Sequence, residues 1–301
     1  MTRQSGFKQS VRARMSETGE SYTAARAHLH RGRPSLVNVT NGESTSMSLR
    51  TSGVPGEVLT YPARLPEADR YVLWFEADLY DQLLLIEVLS THEVEPARMS
   101  LVSIGEYRGK AHFGGLGELT PEQLADLLPE AVPLTSEAVE LARQAWRAYQ
   151  DPRPLGLPAI ARAVSPELRF LGEAFARLMQ EYPWRGDGLS LSERRILQAM
   201  DEGAPGPREA FLALWRRERR PFLADQPTFE LIKGLTEAGH PLLAPGPDRD
   251  GLRLTPIGRE VLGGSADHVR LNGIDRWIGG VHLTGEADWR YDERLETVVK
   301  T

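Results

Sequence analysis

The chain contains no cysteine, which excludes disulfides, thiolate nucleophiles, iron–sulfur clusters and cysteine zinc sites together. A bound metal would have to sit on oxygen or histidine ligands. No apolar run approaches the roughly 20 residues that span a bilayer. The first residues are basic and polar and lack the apolar stretch of a secretory signal, so the expected location is the cytoplasm, with no membrane partner. Positive charge is also scarce: 36 Lys and Arg against 42 Asp and Glu leave a net charge of −6, which argues against a protein that coats nucleic acid. What is present, 41% hydrophobic and 26% charged residues over 301 positions, is a globular composition. That length suits two compact domains and a small appendage.

The charge is unevenly spread. Residues 1–33 carry Arg3, Lys8, Arg12, Arg14, Arg26, Arg31 and Arg33 against Glu17 and Glu20, a local excess of +5 that leaves −11 for the remainder. Phe7, Val11 and Met15 recur at helical spacing, Gly19 offers a stop and Ser21 a cap, so residues 1–34 read as a basic helical hairpin. Lys8, Arg12, Arg14, Arg26 and Arg31 would then clamp RNA, DNA or an acidic protein. The plainer reading is a solvated tail whose apolar stripe packs on the body.

From residue 35 to 132 the pattern becomes α/β. The runs "SLVNVT", "GEVLTY", "RYVLWFE" and "RMSLVSIG" are β-branched or aromatic, and "STSMSLRTSG", "DLYDQLLLIEVLSTH" and "TPEQLADLLPEA" between and after them are helical. Apolar strands separated by helices predict an open, mostly parallel sheet with right-handed crossovers. Residues 133–188 form a helical connector broken by "DPRPLGLP". Residues 189–264 predict three helices, a hairpin and a closing helix opened by Thr255-Pro256, a winged-helix-like arrangement. Its third helix carries Asp225, Glu230 and Glu237 against Lys233, with only Gln226 suited to a base edge, so it is a poor reader of DNA. Arg216, Arg217, Arg219 and Arg220, at the end of the second helix, are the cations there that could touch phosphate. Residues 265–301 form a C-terminal closing segment.

In an open parallel sheet ligands bind beyond the carboxyl ends of the strands, and three stretches fall there. Asn41, Gly42, Glu43 and Ser44 form a turn into a helix, where free N–H groups welcome a phosphate; equally, Asn-Gly is an ordinary turn and Ser44 an ordinary N-cap. Glu76, Asp78 and Asp81 offer hard oxygen ligands for Mg²⁺ or Ca²⁺, with Mg²⁺ the candidate cofactor, or a general base; Asp78 also suits an N-cap. The fourth strand leads to His112 and "FGGLGE", where Gly114, Gly115 and Gly117 would let backbone approach a ligand, although the spacing is not a dinucleotide fingerprint. The C-terminal "LNGIDRWIGGVHLTGEADWRYD" adds Asn272, Asp275, Arg276, Trp277 and His282. Arg276 could hold a carboxylate or phosphate and Trp277 stack on a flat ligand; alternatively Arg276 bridges an acidic residue as the tail closes over the α/β domain.

The segments "VTNGEST", "GVPGEVL", "VLWFEADLYDQLLLIEVL", "GLGELTPEQL" and "LNGIDRWIGGVHL" resemble the bacterial family called domain of unknown function 1835, over most of residues 36–292. The resemblance implies an α/β fold with an open, mostly parallel Rossmann-like sheet followed by a helical, winged-helix-like domain, and no established activity. Two departures stand out: Ala77 occupies a position where the family usually has His, and a segment with an Asp and a His-Glu-Gly-Pro stretch after the second strand is missing. If those histidines serve chemistry in relatives, this chain keeps the pocket without the reaction. The leading expectation is therefore an intracellular ligand-binding or regulatory protein, with a pocket for a phosphorylated or nucleotide-like small molecule and a basic arm on a macromolecule. The alternatives are a metal-assisted hydrolase or transferase acting on a phosphate-containing substrate, with Glu76, Asp78 and His282 as catalytic candidates, and a nucleic-acid-binding regulator.

Overall fold

The computed structural model describes residues 3–31, 34–110, 113–246 and 251–301, with the side chains of 3–7, 10 and 27–31 outside the description. The chain divides into two compact units, Met1–Trp74 with Val94–Val102 and Leu119–Leu134, and Phe75–Glu93 with Ser103–Glu118 and Thr135–Thr301. The fold is mixed α/β, with a five-stranded, mostly parallel, Rossmann-like sheet and many helices.

The first unit opens with α1 (Arg3–Thr18) and α2 (Tyr22–Arg31). Gly19 ends α1 at φ +70, and Ser21 Oγ caps α2 by accepting from Ala24 N at 3.2 Å. Val11 and Ala25 are fully buried. The chain continues through β1 (Leu36–Thr40), α3 (Glu43–Thr51), β2 (Glu57–Thr60) and β3 (Arg70–Trp74); α4 (Leu79–Thr91) belongs to the second unit, and β4 (Met99–Val102), α5 (Pro121–Leu127) and β5 (Val132–Pro133) complete the first. The strand order is β2-β1-β3-β4-β5. The first four strands are parallel, with Val39 opposite Leu73 and Leu73 opposite Leu101. The short β5 pairs antiparallel with β4 and makes the sheet mixed rather than all parallel.

Strands β1 and β3 are buried along four of their five residues, as apolar runs without alternation demand. The polar exception, Asn38, is fully buried and satisfied: its Nδ2 donates to Pro55 O at 2.9 Å and its Oδ1 accepts from Trp74 Nε1 at 3.0 Å. An unpaired amide there would cost about 1–3 kcal/mol, so this bond locks β1 to β3. The strand order reverses at β1 and β3, which makes their carboxyl ends the topological switch point.

In the second unit α4 packs on α6 (Ser136–Gln150), followed by α7 (Leu157–Ala161) and α8 (Leu171–Met179). Next come α9 (Leu191–Asp201), α10 (Pro207–Arg217), α11 (Asp225–Glu237), the antiparallel pair β6 (Leu243–Pro245) and β7 (Leu252–Leu254), and α12 (Pro256–Leu262). Ile196, Leu197, Leu214, Ile232, Leu243 and Val261 share one core, each worth about 1.5–3 kcal/mol of burial. The β6–β7 turn, residues 247–250, lies outside the described residues. The chain ends with α13 (His268–Asn272) and two antiparallel hairpins, β8 (Ile274–Ile278) with β9 (Val281–Gly285) and β10 (Trp289–Asp292) with β11 (Thr297–Lys300).

Candidate functional site

Leaving β1, the chain makes its turn at Asn41-Gly42 and enters α3 at Glu43. Ser44 is therefore not the N-cap: Gly42 holds that place, in an extended conformation and with no side-chain cap. The helix starts two residues early because Glu43 tolerates the first turn and the N-terminal charge of the dipole favours it. Glu43 and Ser44 are exposed, whereas Thr45 and Ser46 turn inward, and Thr60 Oγ1 donates to Ser46 Oγ at 2.8 Å. The Ser46 hydroxyl thus ties α3 to the end of β2.

Beyond the end of β3, and wholly within the second unit, Glu76, Asp78 and Asp81 bring carboxylate oxygens within 4.8 Å of one another. Two of them organise the backbone. Asp78 caps α4 by accepting from Asp81 N at 3.0 Å, and Asp81 Oδ2 accepts from Glu76 N at 2.5 Å. Gln82 Nε2 donates to Glu76 O at 2.5 Å, so the first turn of α4 satisfies both main-chain groups of Glu76. Its side chain reaches the loop that leaves β4: Glu76 Oε1 accepts from Leu116 N at 2.5 Å. Gly115 lies at φ +142, and a Cβ on it would overlap the Glu76 carboxyl. The glycines of "FGGLGE" therefore cradle a protein carboxyl, and Gly115 gives its open space to Glu76. His112 lies outside the described residues.

Electrostatics single out Glu76. Burial, then the charges of Asp81 and Asp78, push its carboxyl up to about 8, against the opposing pull of the Leu116 and Gly117 N–H groups. Burial also raises Asp78, with the Asp81 N–H acting the other way. At neutral pH Glu76 then keeps a proton that can be shared with Asp78. Such a group can donate a proton, receive a hydroxyl, or exchange its proton for a hard cation such as Mg²⁺.

The C-terminal candidates have structural partners. Arg276 forms an ion pair with Glu193, which is almost fully buried at the third position of α9 and closes a capping box with Ser190. Burial alone would raise Glu193, but the charges of Arg276 and His268 and the hydrogen bonds from Arg276 and the Ser190 N–H hold it down to about 2. Asn272 exchanges hydrogen bonds with the His240 backbone, accepting from N at 2.7 Å and donating to O at 3.1 Å. On the outer face of the β8–β9 hairpin Trp277 stacks on His282 at 4.3 Å between centroids, and His282 Nε2 lies 2.7 Å from Asp275 Oδ1. The Gly279-Gly280 pair between "IDRWI" and "VHLTG" is the sequence signal that could have found this hairpin, which the sequence reading missed. On the arm Lys8, Arg12 and Arg26 are exposed, Arg14 pairs with Glu20 at 3.2 Å, and the Arg31 side chain lies outside the description.

One anchor was invisible in sequence. Arg169 and Arg220 donate to the carbonyls of Ser103 and Gly105, holding the loop that leaves β4 at its start as Glu76 holds it near its end. Among the described residues no helix is long and apolar enough to cross a membrane. In comparisons with known proteins, no protein-family model matches this chain, and no curated protein matches it at a significant level.

Proposed function

We propose that this protein binds a phosphorylated or nucleotide-like small molecule at the carboxyl edge of its Rossmann-like sheet, as a ligand-binding or regulatory protein of the cytoplasm. The observation that carries the reading is the β1–α3 turn: at a topological switch point, α3 begins on a glycine that offers no side-chain cap. Its first N–H groups are then available to an anion. Separately, within the second unit, the Glu76–Asp78 pair can hold a hydroxyl or a cation, with no proton transfer required of it. Membership of the domain of unknown function 1835 family belongs to the same reading. Its motifs fall on β1–α3, β3–α4 and β8–β9, and Ala77, where the family carries His, is buried and offers only a methyl group. Residues 189–264 we read as a winged-helix-like packing module, since Asp225, Glu230 and Glu237 are exposed along α11. The basic arm then supplies the contact with a macromolecule.

The test is thermal unfolding against nucleotides, sugar phosphates and coenzymes, with and without Mg²⁺, on wild type and Ser44→Glu. A ligand at a hundredfold excess over Kd adds about 2.7 kcal/mol of stability. Ser44→Glu complements the α3 dipole while repelling an anion, so it folds and loses the gain. An equal gain in Ser44→Glu rejects the α3 turn as the anion site.

A specific observation favours a second reading, a metal-assisted hydrolase or transferase acting on a phosphate-containing substrate. Glu76, pushed up to about 8 beside Asp78, has the protonation of a general acid at neutral pH. In that case Glu76→Gln retains ligand binding and abolishes turnover; turnover unchanged in Glu76→Gln would reject it.

A further inference from the structure

The loop that leaves β4 builds a second feature, distinct from the acidic cluster and confined to the second unit. Lys110 N donates to Tyr107 O at 3.0 Å, closing a β-turn whose third residue, Gly109, sits at φ +86. This geometry, which favours glycine, sets Arg108 at the exposed corner and places Tyr107 and Lys110 side by side. Phe113 follows, with its ring centroid 6.2 Å from that of Tyr107. Opposite, α10 supplies Trp215 and the segment after it Arg219 and Arg220, and a cleft of about 520 Å³ lies between the two sides.

The floor of the cleft is held rigidly. Arg220 is only 14% exposed and donates to Gly105 O, and a Cβ on Gly105 would overlap its guanidinium. Among the described residues the buried Arg220 Nε has no hydrogen-bond partner. Of the two acidic residues in the wall, Glu106 and Glu218, the Glu218 side chain is 4% exposed and already engaged by Arg177 at 2.7 Å and Arg195 at 2.5 Å, so it does not set the sign of the cleft. Glu106, 3.6 Å from Arg220, is 87% exposed; Lys110 faces Glu118 at 3.6 Å and Arg219 faces Glu173 at 3.3 Å. Among the described residues Arg108 carries no ion pair. Four cations with three aromatic rings, in a cleft of small-ligand size, match an anion joined to a flat ring. Guanidinium forks meet phosphate oxygens, and aromatic faces meet a base.

We propose that this cleft is a binding site for a nucleoside phosphate, with Arg108, Lys110, Arg219 and Arg220 on the phosphate and Tyr107, Phe113 or Trp215 against the base. The inference stands independently of the α3 turn, and it would hold if that turn bound nothing.

The test is calorimetric titration of the full chain with adenosine 5′-monophosphate and with ribose 5-phosphate. The variants are Arg108→Glu and Tyr107→Ala, both away from the Arg220 anchor, and Ser44→Glu. Adenosine monophosphate is expected to bind the wild type, to weaken at this cleft on the order of tenfold or more in Arg108→Glu, and to keep its Arg108-dependent binding in Ser44→Glu. Tyr107→Ala is expected to weaken adenosine monophosphate and leave ribose 5-phosphate as it was. Binding lost in Ser44→Glu but untouched in Arg108→Glu overturns the cleft and leaves the α3 reading standing. Equal affinity for the two compounds, indifferent to Tyr107→Ala, overturns the base-binding role of the rings. Folded wild type that takes up neither compound at millimolar concentration overturns the site altogether.

Discussion

Glu76, half-buried just ahead of α4, and Glu193, almost fully buried in the first turn of α9, are both carboxyl groups drawn out of water, and the molecule treats them in opposite ways. Glu193 faces Arg276, accepts from the Ser190 N–H, and is held down to about 2. Glu76 faces Asp78 and Asp81 and is pushed up to about 8. Burial penalises charge at both positions; the difference lies in what the neighbours return. A cation opposite Glu193 makes its charge part of the fold, whereas like charges around Glu76 leave an acid whose proton is there to be exchanged. Buried carboxyls of the first kind hold structures together, and those of the second kind mark sites.

The largest effect that could break this contrast is expected at Arg276. Arg276→Met leaves Glu193 buried without its partner, and urea unfolding should show a loss of about 3–5 kcal/mol. Adding Glu193→Gln should recover much of it, because the uncompensated charge is then gone. A loss below about 1 kcal/mol, the value of an exposed pair, would mean that Glu193 is not structural.

The two groups also predict opposite slopes of stability with pH. Glu76 has a folded value raised from 4.5 to about 8, so between those values the folded chain holds a proton that the unfolded chain has released. Its contribution is complete below 4.5 and is lost as pH rises toward 8, with a slope of up to about 1.4 kcal/mol per pH unit. Glu193 is lowered from 4.5 to about 2; its contribution is present above 4.5 and is lost as pH falls toward 2. Denaturation across pH should show both limbs; Asp187, raised by burial to about 6, shares the lower part of the first, so Glu76→Gln should flatten it between about 6 and 8 while leaving the acid limb in place.

Smaller effects sharpen the picture. Gly115→Ala forces an L side chain to φ +142 and into the Glu76 carboxyl; the backbone strain alone should cost about 1–3 kcal/mol, and calorimetric Tm should register it. Shortening the intruding acid with Glu76→Ala in the same chain should return part of that cost. Ser44→Glu should change stability least, by about 0.3–1 kcal/mol in the favourable direction.

Much of the sheet was legible because β1 and β3 are apolar at nearly every residue, which only a buried strand requires. The helix starts at Ser190 and Thr135 were legible for the same local reason, since Ser or Thr before an apolar repeat caps it. What could not be read depends on contacts far apart in sequence. β5 is two residues long and carries no pattern of its own. The glycines near 115 looked like a ligand loop, and the group they admit is Glu76, 40 positions away along the chain through Leu116 N. Likewise Arg219 and Arg220 are adjacent in sequence, yet one is exposed beside Glu173 and the other is buried against Gly105. The carboxyl cluster itself was legible, because Asp78 and Asp81 are set by the first turn of α4; the direction of the Glu76 shift was not, because it needs the burial.

The most direct measurement is a ¹³C titration of the glutamate side-chain carboxyls in the folded protein, repeated on Glu76→Gln. The account predicts one resonance that titrates near 8 in the wild type and is missing from the variant. A wild-type spectrum in which every glutamate has titrated by about pH 5, the ordinary range for an exposed carboxyl, would contradict the claim that Glu76 keeps its proton at neutral pH and that its surroundings form a site.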